Sequence, residues 1–183
     1  MDADRAARFE ALASEVLEPV RRFLARRSDA DSADDALADT LLVCWRRLEE
    51  VPEPALPWVY GVARHCLANL ERAARRQRRV QGKVATLDPP REIQPGPLDG
   101  AEDDLAWAVR QAWEELRSDD AEVLRLWAWE QLEAAEIAQV LEVSANAASV
   151  RLHRAKGRLR EILEQGGKND GAGGHERVRG REQ

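Results

Sequence analysis

Apolar residues recur along most of the chain at spacings of three and four, and nowhere do they alternate as they would in a half-buried strand. The pattern predicts an all-α protein. A first helix over about 4–27 places Phe9, Leu12, Ala13, Val16, Val20, Phe23 and Leu24 on one face, and Pro19 inside it is expected to kink or break it. A second helix is expected to open near Ser32 as N-cap, with Asp34 and Asp35 in its first turn. Leu37, Leu41, Cys44, Trp45 and Leu48 form its apolar stripe. The opposite face carries Asp35, Asp39, Leu42, Val43 and Arg46, acidic with aliphatics among the charges. Such a face is either simply solvated or a docking surface for another protein.

After the proline-rich loop 49–57, a helix starting at Trp58 puts Val59, Val62, Ala63, Cys66, Leu70 and Ala73 on one arc. Trp58, His65, Asn69, Arg72 and Arg76 align on a separate stripe. An aromatic platform, polar base-edge readers and guanidiniums suit single-stranded DNA. The plainer alternative is a half-buried Trp beside a solvated arginine face. Farther on, 102–116 holds Leu105, Val109, Trp113 and Leu116 at helical spacing. Asp119 can cap a helix to about Glu130, with Val123, Leu124 and Trp127 inward. Residues 133–141 carry Ala134, Ile137, Ala138 and Leu141, and a break at Glu142-Val143-Ser144 precedes a helix over about 145–165. Two helices joined by so short a turn, the second one basic, read as a helix-turn-helix. Its inner side is Ala148, Leu152, Ala155, Leu159 and Ile162, and its outer side Ser149, Val150, His153, Arg154 and Gly157. An outward valine fits a thymine methyl in a major groove, with Arg154 free for guanine. Arg151, Lys156 and Arg158 on the flanks suit phosphates.

Four of the eight prolines fall within 84–101, which reads as an extended linker. It divides a domain over 1–83 from a second over 102–165, and the glycine-rich 166–183 reads as a disordered tail. The expected architecture is thus two small helical domains joined by a Pro-rich linker. Fully extended, 18 linker residues reach roughly 60 Å, about 18 base pairs of duplex.

Charge alters this picture. The 183 residues sum to −6, which argues against a polyanionic partner, but residues 64–83 carry a net +6 and 151–160 a net +5. Local charge decides polyanion binding, so two basic segments in an acidic chain restore nucleic acid as a partner. The acidic stretch 84–150 would weaken indiscriminate DNA binding by the free chain. No apolar run approaches a membrane span, so no membrane insertion is expected. The acidic N-terminus has no apolar signal core, and a cytoplasmic protein, nucleoid-associated when at work, is expected. Cys44 and Cys66 suffice for neither a disulfide framework nor a zinc site, and Cys66 reads as a small buried hydrophobe. There is no phosphate loop and no metal-ligand spacing. His65, His153 and His175 lie on helix surfaces or in the tail, and the acidic pairs sit at helix starts, so neither catalysis nor a cofactor is expected.

These segments resemble the extracytoplasmic-function sigma factors, the minimal bacterial type with sigma regions 2 and 4 only. The resemblance is carried by Ser32–Arg46, by Leu56-Pro-Trp-Val-Tyr-Gly-Val-Ala-Arg-His-Cys-Leu-Ala-Asn69 with the arginine run after it, by Ala135–Ser144 and by Val150–Lys156. It covers about 8–80 and 105–164, in the family's order. Ala38 stands where the family usually has Gln, Leu41 where it has Phe, and Arg117 where Leu-Pro opens a helix. Gln131 and Glu142 stand where glycine is common, and a non-glycine residue in a left-handed turn is mildly strained.

The resemblance implies that Asp35, Asp39, Leu42 and Arg46 dock on the β′ clamp of core RNA polymerase, with the β flap as a further contact. It implies that loop 49–57 with Trp58, Tyr60, His65, Asn69, Arg72 and Arg76 captures unstacked bases of the −10 promoter element. Ser149, Val150, Arg151, His153, Arg154, Lys156 and Arg158 would read the −35 element. A separate anti-sigma factor is implied as regulator. Two other readings remain open, a helix-turn-helix regulator that never meets polymerase and a sigma-like decoy that binds without initiating.

Overall fold

The computed structural model describes residues 2–81, 109 and 112–172. Three helices form the N-terminal unit: α1 (Asp2–Ala25), α2 (Ala30–Arg46) and α3 (Leu56–Gln81), with a 3-10 turn at Leu48–Glu50. Each packs on the other two. The expected linker 84–101 lies outside the described residues. Beyond it, 112–115 is helical, followed by α4 (Ser118–Ala128), α5 (Ala134–Leu141) and α6 (Ala145–Ala172), with α4 and α5 both seated on α6. No strand occurs among the described residues.

α1 runs through Pro19 without a break. Proline costs a helix interior about 3 kcal/mol. Val16, Val20, Phe23 and Leu24 are all essentially fully buried, each worth about 1.5–3 kcal/mol, so tertiary burial outweighs the local penalty. The N-cap of α2 lies three residues before the one expected at Ser32. Asp29 has the extended backbone of an N-cap, and its carboxylate accepts from the Ser32 N–H at 3.1 Å and from the Ser32 hydroxyl at 3.2 Å. The inner stripe of α2 centres on Ala33, Ala36, Thr40 and Cys44, while Leu37, Leu41 and Trp45 are half-buried at its edges. Small residues there let α2 lie close against α1 and α3. In α3, Val59, Ala63, Cys66 and Leu67 are buried, Val62 and Leu70 half-buried, and Ala73 exposed.

α5 is short and sharply bounded. Glu133 and Glu136 form a reciprocal capping box at its start, the Glu133 N–H donating to Glu136 Oε2 at 2.8 Å. At its end Glu142 adopts the left-handed conformation (φ 54°), and the Val143 N–H donates to Ala138 O at 3.0 Å, a Schellman-type stop. Ser144 Oγ then accepts from the Ala147 N–H at 3.2 Å and caps α6. These bonds fix the turn of the helix-turn-helix at the break expected from the sequence.

Other expectations do not survive. Trp127, expected to point inward with Val123 and Leu124, is 42% exposed, while Arg125 is buried at 8%. α4 is enclosed by α6 on one side and the N-terminal unit on another, so Ala121 and Val123 through Leu126 are all covered and only the Trp127–Ala128 side stays open. Arg117, not Asp119, occupies the N-cap of α4, without a side-chain bond. The helix expected to end near 165 continues to Ala172, into the first part of the expected disordered tail. Adding residues to a helix already nucleated costs little compared with starting one.

The core is continuous across both halves. α3 packs on α5, and a Cβ placed on Gly61 would lie 3.7 Å from the Val140 carbonyl oxygen.

Candidate nucleic-acid and protein interfaces

The outer face of α2 is set by its inner one. With Ala33, Ala36, Thr40 and Cys44 turned into the bundle, 3.6-residue periodicity leaves Asp35, Asp39, Leu42 and Arg46 outward, and all four are exposed. Leu42 is one of four large apolar side chains most open to solvent among the described residues. A leucine ringed by two carboxylates and a guanidinium has the composition of a protein-docking patch, an apolar centre with a charged rim.

The stripe expected along α3 divides in two. Toward the C-terminal end, His65, Asn69, Arg72 and Arg76 are exposed on one side. Arg72 donates to Asn69 Oδ1 at 2.7 Å, which holds both polar heads on the same patch. Toward the N-terminal end the stripe is covered. Trp58 is half-buried with the Arg47 guanidinium 5.5 Å from its ring centre, and Arg47 is itself bonded to Glu50. Tyr60, expected to meet DNA, is only 4% exposed and stacks on Phe23 at 4.9 Å. In this arrangement its ring belongs to the core. Burial, with Glu130 adding to it, pushes its phenol up to about 12.

On α6, Ala148, Leu152 and Ala155 face the core and put Ser149, Val150, Arg151, His153, Arg154 and Arg158 outside. Val150 is 38% exposed amid these polar and cationic side chains. Lys156 is half-buried, its Nζ 3.6 Å from the centre of the Trp127 ring, a cation–π contact that holds the ammonium at the helix flank. Trp127 thus joins the basic surface, a role its helical period did not suggest.

A third cluster joins the two halves and has no counterpart in the sequence reading. Arg26 Nη2 donates to Glu130 Oε2 at 2.5 Å, and Arg27 reaches Glu130 at 3.2 Å and Glu122 at 3.2 Å. The side chains of Glu130 and Arg27 are 2% and 7% exposed. Arg26 and Arg125 approach the Trp129 ring, which stacks on Trp113 at 5.4 Å. Burial lowers the Arg125 pKa from its ordinary value. His65 Nε2 lies 3.0 Å from Glu142 Oε1 across the same boundary. Partners separated by about a hundred positions leave no local signal, though the left-handed residues at Gln131 (φ 56°) and Glu142 flank this contact.

Cys44 and Cys66 are both buried free thiols, and burial pushes Cys44 up to about 11 and Cys66 upward, as inert core residues require. No cluster of metal-ligating side chains occurs among the described residues, and no helix among them is long and apolar enough to cross a membrane.

A helix-turn-helix with a basic outward face thus stands behind a three-helix unit whose outer α2 face is acidic. The sigma-70 region 4 model matches residues 106–159. The ECF RNA polymerase sigma factor SigL of Mycobacterium tuberculosis is 29% identical over 167 residues, covering 89% of this chain and 93% of that one. Among solved structures, the sigma factor RpoE of Bartonella quintana, in complex with the anti-sigma factor NepR, shares the fold with a TM-score of 0.60 at 21% identity, over 85% of this chain and 96% of RpoE. CnrH, in complex with the cytosolic domain of CnrY, shares it at 0.53 and 22% identity, over 86% of this chain and 88% of CnrH. The chain is thus similar to extracytoplasmic-function RNA polymerase sigma factors over most of its length, and 106–159 matches sigma-70 region 4.

Proposed function

We propose that the chain carries out promoter recognition with a division of labour between its two halves, 1–83 and 102–165. Asp35, Asp39, Leu42 and Arg46 bind the β′ clamp of core polymerase, and the C-terminal half contacts the β flap. Trp58, His65, Asn69, Arg72 and Arg76 engage the −10 strand, stacking on the ring and pairing guanidiniums with phosphates. Tyr60 joins them only if the covering helices move away. Ser149, Val150, His153 and Arg154 read the −35 element in the major groove while Arg151, Lys156 and Arg158 hold its backbone. The protein works by binding, with no catalysis or cofactor of its own, in the cytoplasm and at the nucleoid within the holoenzyme. An anti-sigma factor restrains it, as NepR is found on the similarly folded RpoE.

The observation that carries this reading is the exposed Val150 beside Arg154 on a helix whose start is fixed by Ser144. A solvated face has no use for that valine, and a groove floor with thymine methyls has. The test is co-purification with core polymerase followed by run-off transcription on candidate promoters. Initiation that is lost on Arg154→Ala, with core binding retained, supports the assignment. Failure to bind core refutes it, and binding without initiation makes the chain a decoy.

A further inference from the structure

We propose that Arg47 is a nucleic-acid contact in its own right. Its guanidinium closes over the exposed side of Trp58, and an unstacked −10 base is held between the two once a DNA phosphate has drawn Arg47 away from Glu50. The proposal rests on the −10 assignment of Trp58 above and names the side chain that completes its site.

Trp58 is half-buried and packs against the core, and the Arg47 guanidinium lies 5.5 Å from its ring centre. What the core leaves of the ring is therefore shared with a cation. A base stacked on the indole would sit about 3.4 Å from it, the spacing of stacked bases in DNA, and a guanidinium on the far side of the base as much again. Two such spacings come to about 7 Å, so the guanidinium has to move outward by about 1.5 Å to admit a base and then covers it.

The local structure allows that movement. Arg47 follows directly on α2, its N–H donating to Val43 O at 2.9 Å and its carbonyl accepting from the Glu50 N–H at 2.8 Å. Leu48 beside it is 5% exposed, so the main chain is pinned. The side chain is not. It is exposed, and its hydrogen bonds go to the equally exposed Glu50, Nε reaching Oε2 at 2.9 Å. An exposed ion pair contributes little to stability, and a phosphate offers the same guanidinium a doubly charged-assisted, two-pronged partner.

Charge makes the case from the side of the loop. Residues 49–57 hold the carboxylates of Glu49, Glu50 and Glu53 and no cation of their own. Glu49 is neutralised from α1, where Arg8 donates to both of its oxygens at 2.8 and 2.9 Å, and Glu50 by Arg47. Backbone phosphates can approach this loop only where arginines from outside it meet them, and Arg47 is the one placed against an aromatic ring. The competing role is a brace, in which the Arg47–Glu50 pair merely fastens the end of α2 to the turn that follows.

The experiment assembles the full-length chain with core polymerase and selects forked DNA from a pool randomised across the −10 element, scoring retained sequences per assembled holoenzyme. Trp58→Ala should flatten the base preference at one position. Arg47→Ala should flatten the same position and lower retention about tenfold, and the double variant should be within about twofold of Trp58→Ala alone. Arg47→Lys, with charge but no planar fork, should keep the salt dependence and lose the preference. Glu50→Gln separates contact from brace: it removes the competitor of the phosphate and should tighten binding about threefold, whereas a brace would weaken. An Arg47→Ala selection identical to wild type overturns the proposal, and so does weakened binding in Glu50→Gln. If Trp58→Ala flattens a position and Arg47→Ala does not, the −10 assignment stands and Arg47 has no part in it. If Trp58→Ala also changes nothing, the −10 assignment of the ring falls with the proposal.

Discussion

Raising the pH past 10 tests the packing of the two halves through one side chain, because Tyr60 is the protein's sole tyrosine. Its ring is 4% exposed, stacked on Phe23, and near enough to Glu130 to feel that carboxylate. Burial disfavours the phenolate, Glu130 adds repulsion, and Arg26, Arg22 and Arg27 partly offset both, leaving the group at about 12 against an ordinary 10. The folded state therefore holds this proton more tightly than the unfolded chain. The associated stability is complete below pH 10 and is lost as the pH rises toward about 12. The gap corresponds to about 3 kcal/mol, a sizeable fraction of a domain's total. Phenolate absorbance and far-ultraviolet circular dichroism followed in one alkaline titration provide the assay. Ionisation should lag behind that of a free tyrosine and coincide with loss of helix. A midpoint near 10 in a protein that keeps its helices would show that the ring is solvated and that the described packing of α1, α3 and the C-terminal helices is wrong.

Other expectations are simpler to state. Cys44 and Cys66 should resist an aromatic disulfide reagent at about pH 8 and react fully after denaturation, and reaction at the rate of free cysteine would contradict their burial. Leu42→Arg should change stability by no more than about 0.5 kcal/mol yet weaken core-polymerase binding at least about tenfold, read by competition for core with the wild type. Lys156→Ala should reduce the salt dependence of DNA binding by about one counterion, whereas Trp127→Ala should weaken binding with the slope retained. A slope unchanged in Lys156→Ala would remove that side chain from the phosphate contacts.

Much of the molecule was readable from periodicity and local chemistry. The helix-turn-helix break at Glu142–Ser144 was visible because its signals are local, a capping serine after a short apolar helix. The exposed faces of α2 and α6 followed from their apolar stripes, since a helix turns outward whatever it does not bury. Choosing Ser32 over Asp29 as a cap went astray because both residues can cap, and only the extended backbone at Asp29 separates them. Trp127 was misjudged for a different reason. Hydrophobicity places tryptophan inside and arginine outside, but α4 has neighbours on more than one side, and Glu122 with two indole rings makes room for the guanidinium.

The order of amino acids by itself determined surfaces: where helices run, which faces carry cations, and where an aliphatic side chain stands among charges. Those properties depend on residues three or four positions apart, and a 3.6-residue period brings such residues together in any helix. Which of those surfaces is open was decided only in three dimensions. Trp58, Gly61 and His65 form one stripe in the sequence, yet α5 covers its middle and leaves the α2 face free. Burial is a property of two surfaces meeting, and Arg27 and Glu130, a hundred positions apart, meet only when the chain has folded back on itself.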